Sequence, residues 1–114
     1  FPTTAITHWT RDRQRGELLP LEHVVHHQTQ RTARHVGWND RGVIAPGYLA
    51  DLNVIDLDRL TLHPPHLVAD LPAGGTRLMQ TAAGYVATVK RGRTIAANGR
   101  LTGERPGRLQ RGAR

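Results

Sequence analysis

The chain has 114 residues and a mass of 12.6 kDa, room for one small domain that buries roughly 65% of its unfolded surface. It contains no cysteine and no serine, which excludes disulfides, cysteine-held metal centres, thiol nucleophiles and serine nucleophiles. The formal net charge is +7, yet residues 1–89 carry eight arginines against eight acids, so the whole excess lies from Lys90 onward, where Glu104 is the one acid.

In chain order, the first segment predicts a helix. Ile6, Trp9 and the stem of Arg13 fall on one face, Thr3 or Thr4 suits the N-cap, and Gly16 offers a stop. A second helix is predicted from Pro20, a first-turn proline, with Glu22 near the positive end of the dipole and a thin stripe of Leu21, Val24, Val25 and Gln28 or Thr29. It ends around Val36 and Gly37, with a break placed near Thr32, before an Asn39–Gly42 turn. From Val43 the period becomes two. The stretch Ala50–Asp56 reads as a strand with Leu52 and Val54 on its buried face. Pro64-Pro65 and Pro72–Gly75 bound a long connection that holds the apolar pair Leu67-Val68. Gly84–Lys90 and Arg93–Ala97 form a hairpin around Arg91-Gly92, Asn98-Gly99 is the strongest turn signal, and residues 103–108 read as an irregular tail.

The residue types that carry chemistry do not assemble into a site. His23 and His27 have the i, i+4 spacing of a zinc-binding pair beside His26, but no Glu follows His23 to act as a general base. Exposed or partly packed helix histidines are therefore the expectation, as are surface or loop positions for His8, His35, His63 and His66. Asp51, Asp56 and Asp58 read as turn and ion-pair residues. Gly74-Gly75 and the Gly42–Gly47 stretch read as turns, because neither has the Lys-Ser/Thr of a phosphate loop nor three-glycine dinucleotide spacing.

The basic tail, residues 90–114, has no aromatic side chain on which a base could stack, and no recognition helix or finger. Nucleic acid is thus disfavoured against a solvated basic edge or a surface opposed to another, acidic segment. No apolar run approaches the roughly 20 residues that span a bilayer, and the first residues lack a basic, then apolar, then small-residue pattern, so a soluble, cytoplasmic protein is the expectation.

The stretch Asp40–Asp56 contains Gly42-Val-Ile44-Ala-Pro-Gly47-Tyr-Leu-Ala50-Asp51-Leu52 and resembles the "G-x-I-x-x-G-x-x-A-D-L" segment of metal-dependent amidohydrolases, which leads from the catalytic barrel to a small β-domain. Trp9–Arg13, Leu19–Glu22, Asp70–Gly75 and Arg105–Arg108 resemble the N-acyl-D-amino-acid deacylase (D-aminoacylase) branch, and the resemblance runs from about Phe1 to Gly112. One departure is Thr32, within Thr29–Ala33, where the family usually has proline; it favours a continuous helix.

The resemblance implies an α+β fragment: the last helices of a TIM-type (β/α)8 barrel in residues 1–39, then the C-terminal part of a composite small β-sandwich with its basic tail in residues 40–114. An isolated strand and hairpin would leave an open edge and an incomplete apolar face. The implied partners are the upstream barrel and N-terminal β-segment of the same polypeptide. The implied activity is zinc-dependent hydrolysis of an N-acyl-D-amino acid to a D-amino acid and a carboxylate. The family's zinc ligands and catalytic aspartate precede the matching region, so no catalytic, cofactor-binding or metal-ligating residue maps onto this chain. The sequence opening on Phe1 is read as beginning part-way through a longer protein, with Phe1–Thr4 continuing from a loop at the catalytic mouth. The alternative is a free-standing basic module for nucleic acid or another polyanion.

Overall fold

A computed structural model describes residues 1–111; Gly112 and Arg114, which close the resemblance and the basic tail, lie outside the described residues. The chain forms a mixed α+β unit. Helix α1 (Pro2–Thr7) runs directly into a π-helical turn at His8–Asp12, and α2 (Leu21–Gln28) is followed by α3 (Gln30–His35). The strands are β1 (Leu52–Ile55), β2 (Thr61–Leu62), β3 (His66–Val68), β4 (Arg77–Met79), β5 (Ala82–Ala83), β6 (Tyr85–Lys90), β7 (Arg93–Ala97) and β8 (Arg100–Leu101). They form an antiparallel four-stranded sheet, ordered β1-β6-β7-β8, and two antiparallel pairs, β2-β5 and β3-β4.

The helical segment corrects the expected caps and breaks. Neither Thr3 nor Thr4 caps α1; Phe1 holds the cap position and Pro2, whose fixed φ suits the first helical turn, starts the helix. The Thr3 hydroxyl instead pairs with the Tyr85 hydroxyl at 2.8 Å, tying α1 to β6. Helical structure ends at Asp12, with Arg13 already extended, so Gly16 lies in the following bend rather than at the stop. Between α2 and α3 the break falls at Thr29 (φ −119, ψ −92), neither at Thr32 nor absent. Threonine chemistry accounts for it: the Thr29 hydroxyl donates to the Val25 carbonyl at 2.7 Å, and the Thr32 hydroxyl donates to His27 O, so the junction's carbonyls are satisfied without helical continuity.

In the sheet, the hairpin from Tyr85 to Ala97 forms around Arg91-Gly92 as expected, with a register irregularity between Thr88 and Val89, and the Asn98-Gly99 turn returns the chain into β8. The expected buried face of β1 is corrected. A register shift between Val54 and Ile55 turns Ile55 inward, leaving Val54 50% exposed while Leu52 and Ile55 are half-buried. The supposed long connection is also structured: β3 meets β4 across the 69–76 loop, in which Ala73 takes φ 58, and β2 meets β5 beyond it.

The core is small. Ile6 and Val24 from the helices meet Leu60, which is completely buried, and Ala5, Leu21, Ile55 and Tyr85 pack around them. Arg11 closes this junction, donating from Nη1 to Leu57 O at 2.7 Å and from Nη2 to Leu60 O at 2.9 Å. Among the described residues four apolar side chains are buried, whereas sixteen large hydrophobics are exposed. The radius of gyration is 16.4 Å, against about 13 Å for a compact domain of about 100 residues.

Candidate functional site

Asp51, the aspartate of the A-D-L motif, is the best-connected charged group of the β part. It sits one residue before β1, where the Leu52–Val89 pairing sets it beside the last residue of β6. Its carboxylate accepts from Lys90 Nζ and, at 2.9 Å, from the Arg91 N–H, while Arg41 Nη1 lies 3.7 Å away. Partial burial acts to raise the Asp51 pKa. The Lys90 ammonium, the Arg91 N–H and the Arg41 charge outweigh it and hold the carboxyl below its ordinary value. Arg41 is itself fixed, its guanidinium 4.8 Å from the centre of the Trp38 ring and paired with Asp40. The amide of Gly92 donates to Ala50 O at 3.0 Å and completes the link between the motif and the hairpin turn.

The motif's first glycine has a packing role. Gly42 takes φ +85, and a Cβ there would lie 2.8 Å from the Cα of Gln30, at the α2–α3 break. The Gly42–Asp51 segment thus fastens the helices at one end and the sheet at the other. This is an arrangement for joining, and the Lys90-Arg41 charges around Asp51 leave it ionised and hydrogen-bonded, unsuited to proton transfer near neutral pH.

The histidines divide as the spacing predicts. The rings of His23 and His27 stack with centroids 4.2 Å apart, and Arg31 Nη1 donates to the His27 ring, 2.9 Å from Nε2. Partial desolvation, then the Arg31 charge, lowers the His27 pKa, so its neutral form is favoured. His8, His35, His63 and His66 are exposed. Asp56 holds a turn, accepting from the Arg59 N–H at 3.2 Å. Among the described residues no three His, Cys, Asp or Glu side chains come close enough to hold a metal ion, so these residues do not fit a zinc site.

His23 and His27 border an apolar groove of about 480 Å3 between α1 and α2, lined also by Phe1, Ala5, Leu19 and Val24. Gln28 closes it, and its buried Nε2 has no hydrogen-bond partner among the described residues. Phe1, at the groove's edge, is 96% exposed. The sequence pattern did not pair Lys90 or Arg41 with Asp51; for Lys90 the opposite charges at the ends of two predicted strands become a pair once the strands are in register, whereas Arg41 lies on no strand.

The sequence profile of the amidohydrolase family matches residues 1–96, across both the helical segment and the motif that carries Asp51. The chain belongs to the amidohydrolase family. Its family chemistry is therefore hydrolytic. No solved structure matches the chain.

Proposed function

We propose that this amidohydrolase-family chain is the C-terminal structural part of a zinc-dependent N-acyl-D-amino-acid deacylase. Residues 1–39 supply the last helices of its barrel and residues 40–114 the closing part of a composite β-sandwich. The observation that carries this reading is the imbalance between four buried apolar side chains and sixteen exposed large ones among the described residues. A free-standing domain of this size buries most of its apolar side chains to offset chain entropy; this one leaves its surfaces for other parts of a longer polypeptide to cover.

Two details support it. The groove between α1 and α2 presents Phe1, Leu19 and an unpartnered Gln28 amide where a further barrel element would pack. Among the described residues both edge strands of the four-stranded sheet, β1 and β8, have one side unpaired, where an N-terminal β-segment would add. In this reading the described residues perform no catalytic step; zinc and its ligands belong to the barrel. The Gly42–Asp51 segment transmits position, holding the barrel's last helices against the sheet. No described helix is long and apolar enough to cross a membrane, and a cytoplasmic setting accords with a cysteine-free chain.

The test is hydrolysis of paired N-acetyl-D- and N-acetyl-L-amino acids by the intact polypeptide that carries this chain. Zinc-dependent release of the D-amino acid with little turnover of the L-enantiomer is expected. Turnover of neither, or preference for L, would remove the deacylase assignment while leaving family membership intact.

A further inference from the structure

The basic tail folds back on the sheet. The Thr102 N–H donates to Ile95 O at 3.0 Å, its hydroxyl donates to Thr94 O at 2.6 Å, and Glu104 pairs with Arg93 at 2.9 Å. Further on, Gln110 reaches Arg41 Nη2 at 3.5 Å. The folded-back segment and the β6–β7 turn enclose a polar groove of about 330 Å3, lined by Arg91, Arg93, Arg105 and Arg108 with Glu104 as its one carboxylate. Arg91, Arg105 and Arg108 have no ion-pair partner among the described residues.

We propose that this groove is a binding site for a polyvalent phosphate group of the pyrophosphate class. Four arginines from two backbone segments line the groove, and a guanidinium offers N–H donors in the planar fork that matches phosphate oxygens. Glu104 neutralises one of them and, through Arg93, holds the tail in place; a net charge of three (four minus one) remains, which a polyvalent anion matches better than a monoanion. The lining has no aromatic ring, so the groove engages phosphate and not a base. The pocket is independent of the deacylase reading, because it is built wholly from the hairpin turn and the tail.

The singly charged phosphodiesters of a nucleic-acid backbone could also meet these arginines, but the groove's short span and its excess of charge favour a small polyvalent phosphate. The test is calorimetric titration of the intact polypeptide with inorganic pyrophosphate at low ionic strength, beside a single-stranded oligonucleotide and sodium acetate. Saturable pyrophosphate binding is expected, weakened about tenfold in the Arg105→Gln/Arg108→Gln variant and absent for acetate at equal concentration. Both substitutions are at exposed positions, and an unchanged melting temperature verifies folding. Because any other anion site of the polypeptide is untouched by them, wild-type affinity in the variant would overturn the proposal. Oligonucleotide binding where pyrophosphate does not bind would overturn it equally, and would make the groove a nucleic-acid surface.

Discussion

Gly84 and Leu60 meet backbone to backbone: a Cβ on Gly84 would stand 2.5 Å from the Leu60 Cα and 2.7 Å from its nitrogen. Gly84 takes φ +93, and its carbonyl accepts from the Asp56 N–H at 2.9 Å, so neither chain segment is free to retreat. This contact seats Leu60 at the junction of helices and sheet, the one completely buried large side chain among the described residues. Gly84→Ala therefore combines a backbone clash with a left-handed φ, and it should destabilise the intact polypeptide by roughly 2–4 kcal/mol in urea unfolding. Leu60→Ala should cost about 2–5 kcal/mol by opening a cavity in the same place. Losses under about 0.5 kcal/mol for both would show that the junction contributes little to stability.

Asp51 should set part of the acid limb. Its carboxyl is held below the ordinary value in the folded chain, so its contribution is complete above the unfolded value of about 3.9 and is lost as pH falls through the lower folded one. Asp51→Asn, which leaves Lys90 without its carboxylate partner, should cost about 1–3 kcal/mol at neutral pH and flatten the loss of stability below about pH 4. Acid unfolding curves of the two proteins check this; superimposable acid limbs would contradict it.

His27 should titrate below the ordinary histidine value of about 6.5, because partial desolvation and the neighbouring Arg31 both disfavour the imidazolium. The sign follows: a histidine whose folded value is depressed favours folding most above its unfolded value, and that support declines as pH falls below about 6.5. Arg31→Gln removes a charge that faces the ring and should move the His27 titration upward. Ring proton shifts followed by NMR from pH 4 to 8 give the answer; an unmoved midpoint would mean that Arg31 does not act on the ring.

Much of the sheet was legible because its signals are local. Tyr85–Lys90 and Arg93–Ala97 are short runs rich in β-formers on either side of a two-residue turn, and Asn98-Gly99 marks the next one. The face of β1 was not legible, since one bulge between Val54 and Ile55 reverses which side chain turns inward. Strands as short as Thr61–Leu62 and Ala82–Ala83 carry too few residues to show a period, and their pairing spans a long separation. The break at Thr29 depended on side-chain hydroxyls finding carbonyls, a competition that propensity alone does not resolve. At the charged centre Asp51 was read as an ion-pair residue, but its partners Lys90 and Arg41 emerged only once β1 and β6 were in register.

The measurement that tests the central claim most directly is zinc-dependent hydrolysis of an N-acetyl-D-amino acid by residues 1–114 alone, by the remainder of the polypeptide alone, and by the two mixed. The account predicts no turnover from residues 1–114, and activity that depends on their presence beside the remainder. Robust zinc-dependent turnover by residues 1–114 alone, or full activity of the remainder without them, would contradict it.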